Sequence, residues 1–438
     1  MSLFVISADY ARWHAASIRY RIEPTDQQRQ ALAKAFGCAR VVYNDGLRLR
    51  EDAYKAGLPF ISDGDLLRLV TTEAKRSPER RWLAEVSAVV LQQSVADLHR
   101  AYRNYFRALV EVKAAGAPGM ANLRVREPKF KSKHHDQAVR FTANGNFRVL
   151  PNGRLRLPKV GTVRIRWSRP LPAKPSSVTI ILDRAGRYHA LFVVEVAEAL
   201  LPAADGAVGI DLGLSRFAAL STGEKVANPR WLRQRERALR RSQRNMSRKQ
   251  KGSKNQEKAR RRLARRHARV ADARRDFHHQ LSTRLVRESQ TVYVETLNLA
   301  ALGRSTLGKS LADAGWGQFT RMLEYKATMA GRTLVKVDRW HPSSQLCSRC
   351  GARTGPIGLS GLRVRTWTCT GCGIEHDRDI NAAKNILAAG RAVTACGPGA
   401  RPGASQAVGD EAGTIPEAAA WWPGNPRRHN GGEDVKAS

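Results

Sequence analysis

The chain has 438 residues, and its 76 Lys and Arg residues exceed its 38 Asp and Glu residues, so the formal net charge is +38. A compact protein with this charge repels itself unless a polyanion neutralises it, and the charge favours nucleic acid over a membrane surface as the partner. No apolar run approaches the ~20 residues that span a bilayer, and the first residues lack a signal-peptide pattern, so we predict a cytoplasmic protein of two to four packed units.

The first predicted elements are a strand and a block of helices. A short leader over residues 1–16 precedes a strand at 17–24, where apolar and polar residues alternate. Thr25 and Asp26 are candidate N-caps for the helix that follows. Apolar residues then recur at three- and four-residue spacing, which predicts a helical domain over residues 25–112.

The periodicity changes after this block. Gly, Ala and Pro residues at 114–122 interrupt the helical pattern, and short alternating runs follow them. Asn152 and Gly153 form a two-residue hairpin signal. We predict a small β-barrel-like domain over residues 113–205, to which the strand at 17–24 contributes the first strand.

An α/β pattern begins at residue 206 and predicts a third domain over 206–346. Between two apolar strands, residues 230–276 hold 20 Lys and Arg residues against four acidic residues and contain few helix breakers. This predicts a long basic helical hairpin, which is either a solvated surface or a nucleic-acid interface. Asp313 is the predicted N-cap of a later helix that ends near Gly331.

Two Cys-x2-Cys knuckles lie near the end of the chain, separated by 18 residues. Their cysteines are Cys347, Cys350, Cys369 and Cys372. In a cytoplasmic protein this spacing favours a tetrahedral structural Zn²⁺ over two disulfides, so we predict a zinc ribbon over residues 347–372. A site closed by four sulfurs offers no position to a substrate, so we assign the zinc a folding role. Cys38 and Cys396 are interpreted as ordinary thiols.

Three acidic residues occupy positions that suit a second metal site. Asp211 ends an apolar strand, Glu295 lies in another, and Asp379 is the predicted N-cap of a helix that runs to Gly390. Carboxylates held close together on rigid elements can bind two Mg²⁺ ions that hydrolyse a phosphodiester. Asp211 alone could be a turn residue and Asp379 alone only a cap. Their order along the chain, strand Asp, strand Glu and helix-start Asp, favours a shared site.

These motifs together resemble one family. The series GIDLG, VYVETLNL, DAGWGQF, CSRCG with WTCTGCG, and HDRDINAAKNIL is similar to that of the TnpB proteins of insertion sequences. It is similar, more distantly, to that of the type V CRISPR effectors. The segments GCARVVYNDGL and LQQSVADLHRAYRNYF also resemble TnpB, so the likeness covers residues 17–395.

The resemblance implies an α+β multidomain chain with a ribonuclease-H-like (RuvC) α/β domain. That domain would comprise residues 206–346 and a last motif with its helix at 373–396, and the zinc ribbon would lie between them. The helical block would be a recognition domain, and the β-barrel-like unit a wedge domain. Residues 397–438, rich in Gly, Pro and Ala, are predicted to be a disordered tail.

The resemblance also implies the chemistry and the partners. Asp211, Glu295 and Asp379 would form the RuvC centre and bind two Mg²⁺ or Mn²⁺ ions, with Asp379 preferred over Asp377 as the third acid. The protein would be an RNA-guided, metal-dependent DNA endonuclease of a transposable element. A guide RNA from the 3′ end of that element would direct it to double-stranded target DNA beside a short adjacent motif. One chain per guide RNA is favoured, in the cytoplasm and on the nucleoid of a prokaryote.

Two other functions remain open at this point. The same scaffold could be a nuclease-inactive, RNA-guided repressor, which the loss of one carboxylate would favour. It could also be a transposase that joins strands itself. All three acids are present, and the sequence shows no Tyr-His pairing for strand transfer, so both alternatives rank below the nuclease.

Overall fold

The computed structural model describes residues 13–114, 127–133, 137–197, 200–357, 361 and 363–395. They fall into two compact units, one over Ala15–Val196 and the other within Ala197–Val408. Predictions for the first twelve residues, for most of the boundary at 114–122 and for the tail at 397–438 lie outside the described residues. No helix in the described part of the chain is long and apolar enough to cross a membrane.

The first unit contains a seven-stranded sheet with the strand order β2-β6-β7-β1-β5-β4-β3. The strands are β1 (Trp13–Glu23), β2 (Gln137–Thr142), β3 (Arg148–Val149), β4 (Leu155–Leu157), β5 (Gly161–Arg166), β6 (Ser177–Leu182) and β7 (Tyr188–Ala197). β1 begins at Trp13, earlier than the predicted start at Ser17, although small residues with weak strand preference occupy its first part. β3 and β4 form the hairpin that Asn152 and Gly153 predicted.

Helices α1 (Asp26–Lys55), α2 (Asp63–Leu67) and α3 (Ala88–Ala114) complete this unit. Thr25 caps α1 as predicted and forms a capping box with Gln28. The apolar faces of α1 and α3 pack with the sheet in one core, where Leu32, Leu91 and Phe141 are fully buried.

The second unit contains a five-stranded sheet with the order β10-β9-β8-β11-β12. Its strands are β8 (Ala207–Leu212), β9 (Arg216–Leu220), β10 (Lys225–Ala227), β11 (Thr291–Glu295) and β12 (Thr333–Val337). β8, β11 and β12 are parallel to one another, whereas β9 is antiparallel to both of its neighbours, β8 and β10. Three meandering strands followed by two parallel strands form the ribonuclease-H-like sheet that the resemblance implied.

The helices of this unit are α4 (Trp231–Ser247), α5 (Lys254–Glu288), α6 (Leu299–Leu302), α7 (Gly308–Ala314), α8 (Trp316–Met329) and α9 (Arg378–Ala395). Helices α4 and α5 form a hairpin where the sequence predicted a basic one, and α5 continues to Glu288, just before β11. A second, two-stranded sheet of β13 (Thr366–Thr368) and β14 (Glu375–Asp377) belongs to the cysteine ribbon and leads directly into α9.

The two faces of the five-stranded sheet pack on different helices. Val208, Ile210, Val292 and Val294 point into a core that also contains residues of α5 and α8. Because side chains alternate along a strand, Asp211 and Glu295 point to the opposite face. There Tyr293 packs on Ile386 of α9, so α9 covers the face that carries both acids.

The prediction for Asp313 was wrong. It lies in α7, and its carboxylate accepts hydrogen bonds from the backbone N–H groups of Leu232 at 2.8 Å and Arg233 at 3.2 Å. It therefore caps the first turn of α4, a helix 80 residues earlier in the chain. Helix α8 instead begins after Gly315, which has a φ of 68°.

Candidate metal centres

Four cysteine sulfurs meet in the ribbon. The Sγ atoms of the two knuckles all lie within 4.8 Å of one another. Cys347 Sγ is 3.6 Å from Cys372 Sγ, and Cys350 Sγ is 3.6 Å from Cys369 Sγ. Sulfurs around a tetrahedral zinc lie ~3.8 Å apart, whereas a disulfide brings them to ~2 Å. The cluster therefore fits a structural Zn²⁺, as the spacing predicted.

The knuckles also have the local geometry that the ion requires. Gly351 and Gly373, which follow the second cysteine of each knuckle, have φ values of 76° and 73°, where side chains are disfavoured. The hydroxyl of Thr354 donates a hydrogen bond to Cys369 Sγ at 3.2 Å. This bond lowers the pKa of Cys369 to about 6, and a lower pKa favours the thiolate that binds zinc.

Asp211 and Glu295 lie side by side at the carboxyl ends of two parallel strands. Val294 of β11 is in register with Ile210 of β8, so the acids that follow them are neighbours on the face toward α9. Both residues are half-buried. The backbone N–H of Leu212 donates a hydrogen bond to Glu295 Oε1 at 3.1 Å, which ties the glutamate to the end of β8.

Asp379 lies in the first turn of α9 and is not its N-cap, so that prediction was wrong. Asp377 is the cap, because its Oδ1 accepts a hydrogen bond from the backbone N–H of Ile380 at 3.1 Å. Asp377 also pairs with Lys225 of β10. Asp377 therefore caps α9, which leaves Asp379 without a capping role. The choice of Asp379 over Asp377 as the third acid stays a prediction, and the capping role of Asp377 supports it.

Burial raises the pKa values of the two strand acids. Burial raises the pKa of Asp211 well above its usual value, and the charges of Glu295 and Asp379 raise it further. Burial also raises the pKa of Glu295 to about 7, although the hydrogen bond from Leu212 opposes the shift. The charge of Arg378 lowers the pKa of Asp211 but does not offset the effect of burial. Carboxylate oxygens in such a site are donors that fit hard divalent cations such as Mg²⁺.

Two arginines that sequence reasoning missed hold Asp379. Arg378 donates from Nε and Nη2 to Asp379 Oδ1 at 3.2 and 3.0 Å. Arg365, just before β13, has Nη1 3.7 Å from Asp379 Oδ2 and donates to Ser215 Oγ at 2.9 Å. Within the described residues only the four cysteines form a group of ligand atoms as tight as 4.8 Å. The carboxylates therefore stand further apart than the sulfurs.

Sequence reasoning also missed three buried polar side chains around the ribbon, those of His376, Asn381 and Asn385. Their signal was present in the sequence. Two asparagines spaced by four residues lie among the Ala, Ile and Leu residues of a helix, and a buried amide is costly unless it is fully hydrogen-bonded.

Family models match three parts of the chain. A model described as "Probable transposase" matches residues 192–306, one described as "Cas12f1-like, TNB domain" matches 316–386, and one described as "Helix-turn-helix domain" matches 16–58. The chain resembles in fold a chain of the cryo-EM structure of a Cas12f1–sgRNA–target DNA complex. That likeness has a TM-score of 0.51 and 12% identity and covers 85% of this chain and 98% of the other.

Curated relatives match along nearly their whole length. A protein of Streptomyces pristinaespiralis, provisionally named RNA-guided DNA endonuclease, is 43% identical over 88% of this chain and 92% of its own. The provisionally named RNA-guided DNA endonuclease InsQ of Escherichia coli strain K12 is 30% identical over 87% of this chain and 94% of its own. A Mycobacterium tuberculosis relative is 31% identical over 85% of this chain and 86% of its own.

The fold is of the RuvC-like class with a zinc ribbon. Its defining features are a ribonuclease-H-like sheet, acids at the ends of the parallel strands and a four-cysteine ribbon before the last helix. Within that class the chain belongs to the TnpB family, as the matched family models and the full-length relatives show.

Proposed function

We propose that this protein is an RNA-guided, metal-dependent DNA endonuclease of a transposable element, which cuts target DNA beside a short adjacent motif. The observation that carries the proposal is the approach of three acids on one face of the sheet. Asp211 and Glu295 are neighbours on parallel strands, and the charge of Asp379 on α9 reaches Asp211. Relatives named as RNA-guided DNA endonucleases support the same assignment.

The three carboxylates would hold two Mg²⁺ or Mn²⁺ ions. When bound, such ions supply a nucleophilic water and stabilise the charge that develops on the leaving oxygen. Glu295 is positioned by the N–H of Leu212, and Asp379 is held by Arg378 and Arg365. The two arginines carry the charge that would match a phosphate of the substrate.

The partners in this proposal are a guide RNA from the 3′ end of the element and double-stranded DNA. The guide would read sequence by base pairing, and the protein would bind the backbone of the heteroduplex. The helical domain at 25–112 would recognise the adjacent motif, and the domain at 113–205 would act as a wedge. One chain would bind one guide RNA, in the cytoplasm or on the nucleoid.

The experiment is cleavage of a plasmid that carries the guide-matched target, by the purified protein with its copurifying RNA. Cutting should require Mg²⁺, and Asp211→Ala should reduce it at least ~10³-fold, because a metal ligand is lost. Gel-shift affinity for the RNA and for the target should stay within about twofold, because no phosphate contact changes. Target binding without cutting by the unaltered protein would instead indicate a repressor, and rejoined products would indicate a transposase.

A further inference from the structure

Helix α9 carries Asp379 on one side and contacts the first cysteine knuckle with another. The side chains that make these contacts are Asn381 and Asn385, one helical turn apart, and they are joined by His376 on β14. All three are buried, with exposed fractions of 1%, 7% and 8%. None of these three residues has a place in the chemistry proposed above.

Asn381 brackets the metal ligand Cys347. Its Oδ1 accepts a hydrogen bond from the backbone N–H of Ser348 at 2.8 Å, and its Nδ2 donates to the carbonyl of Leu346 at 2.7 Å. The amide thereby grips the backbone on both sides of Cys347. Both groups it engages are main-chain groups, so the contact fixes the path of the knuckle itself.

Two further contacts join the same parts. Asn385 Nδ2 donates to the carbonyls of Ser343 and Leu346, each at 2.7 Å. His376 Nε2 lies 3.0 Å from Cys347 Sγ, where its N–H can donate to the thiolate. Outer hydrogen bonds of this kind orient a metal ligand and tune its affinity for the ion.

The opposite side of α9 is pressed against the sheet. A Cβ at Gly209 of β8 would come within 2.2 Å of the carbonyl oxygen of Ala383, and a Cβ at Gly390 within 2.0 Å of the Tyr293 ring. One side of α9 is therefore packed tightly against the sheet. The amides of Asn381 and Asn385 tie another side of the helix to the first cysteine knuckle. Neither partner leaves it freedom to rotate or slide.

We propose that the zinc ribbon positions the catalytic helix, with Asn381 and Asn385 as the positioning residues that couple the zinc site to the carboxylate site. Occupancy of one site stabilises the orientation of α9 that the other requires. Because such coupling is reciprocal, divalent ions at the carboxylates slow the loss of zinc, and loss of zinc weakens the binding of those ions. The effect of zinc loss on the binding of divalent ions rests on the function proposed above.

The test measures zinc release to a zinc-selective chromogenic chelator from the full chain bound to its RNA. With the unaltered protein, millimolar Mg²⁺ should slow release severalfold. In the double variant Asn381→Ala/Asn385→Ala, release should accelerate by about tenfold, because four hydrogen bonds are lost. The dependence of release on Mg²⁺ should also vanish. Arg391→Ala, an exposed position on the same helix, is the matched control and should behave as the unaltered protein.

A second measurement separates positioning from simple loss of stability. Below the unfolding temperature, the Mg²⁺ concentration for half-maximal cleavage should rise by about tenfold in Asn381→Ala, whereas the affinity for RNA should not change. Asn385→Asp keeps the size but turns a buried carboxylate toward the carbonyls of Ser343 and Leu346, so it should raise the Mg²⁺ requirement at least as far.

Two results would overturn the coupling. One is zinc release that ignores Mg²⁺ in the unaltered protein. The other is a variant that is less stable but has an unchanged Mg²⁺ requirement. If no variant and no condition gave cleavage, the proposed nuclease function would fail, while accelerated zinc release in the double variant would still show that the amides hold the ribbon.

Discussion

Glu295 lies where burial and ionisation oppose each other. Its pKa is raised to about 7 in the folded, metal-free chain, above its ordinary value of 4.5. Between these two values the folded state binds the proton more tightly than the unfolded state does. The contribution of Glu295 to stability is therefore present at low pH and is lost as pH rises through 7.

This sign gives a prediction for Glu295→Gln, a side chain of the same shape without charge. In metal-free protein at pH ~8, the variant should be more stable than the unaltered protein by about 2 kcal/mol, and the difference should vanish near pH ~5. Thermal unfolding at both pH values, after removal of loosely bound divalent ions, measures it. Equal stability of the variant and the unaltered protein at pH ~8 would mean that burial does not raise the pKa of Glu295.

Sequence alone singled out the two strand acids as candidates, because a carboxylate in an apolar β-branched run conflicts with burial. It could not separate Asp377 from Asp379, since both precede the same helix and both could cap it. The structure gives the capping role to Asp377, whose Oδ1 accepts a hydrogen bond from the N–H of Ile380, and pairs Asp377 with Lys225 of β10. Contacts between residues so distant in the chain leave no local pattern to read.

At the scale of elements, the approach of α9 to the sheet controls the carboxylate site. Gly209 is required on β8 because any side chain there would meet the backbone of α9. Close contact with backbone cannot be relieved by rotating a side chain, so the helix would have to move.

We therefore expect Gly209→Ala to destabilise the protein by about 3 kcal/mol or more, and to impair cleavage beyond what the loss of folded protein explains. Gly37→Ala is the control, because Gly37 lies within α1 with no atom within 4 Å of an added Cβ. That change should stabilise the protein by about 0.5–1 kcal/mol. Denaturant unfolding and cleavage rates would check both. A Gly209→Ala protein with unaltered stability would contradict the packing described here.

The regular elements were largely predictable because each has a local cause. The capping box at Thr25 and the turn at Gly153 encode their structures within a few residues. Asp313 was misassigned for the converse reason. It precedes α8 in the sequence, but the N–H groups it caps belong to α4, and periodicity carries no record of such a partner. The polar positions of Asn381 and Asn385 were visible in the sequence, but their partners in the first cysteine knuckle were not.

At the scale of the whole molecule, the net charge of +38 is unevenly distributed. The hairpin of α4 and α5 has a narrow apolar seam around Leu239, Leu263 and Val270. Its other surfaces are mostly exposed Lys and Arg. This seam buries little apolar area, whereas the many Lys and Arg residues of the hairpin repel one another. A polyanion bound to the hairpin would offset that repulsion.

Neutralising three exposed arginines of α4, as Arg237→Gln, Arg241→Gln and Arg244→Gln together, should weaken RNA or heteroduplex binding. The slope of log affinity against log salt should become shallower by up to ~2–3, because fewer counterions are released. Filter binding over a series of salt concentrations measures it. Three neutralised lysines on another surface of the unit should leave the slope less changed, and an unaltered slope in the arginine variant would remove the hairpin from the nucleic-acid interface.

The most direct test of the shared carboxylate site counts Mn²⁺ ions bound to the RNA-loaded chain by electron paramagnetic resonance, in which structural zinc is silent. Asp211→Asn, Glu295→Gln and Asp379→Asn should each lose bound Mn²⁺. Asp377→Asn, which can still cap α9, should retain it. If any of the three variants bound Mn²⁺ as the unaltered protein does, or if Asp377→Asn alone lost it, the three acids would not form one metal site.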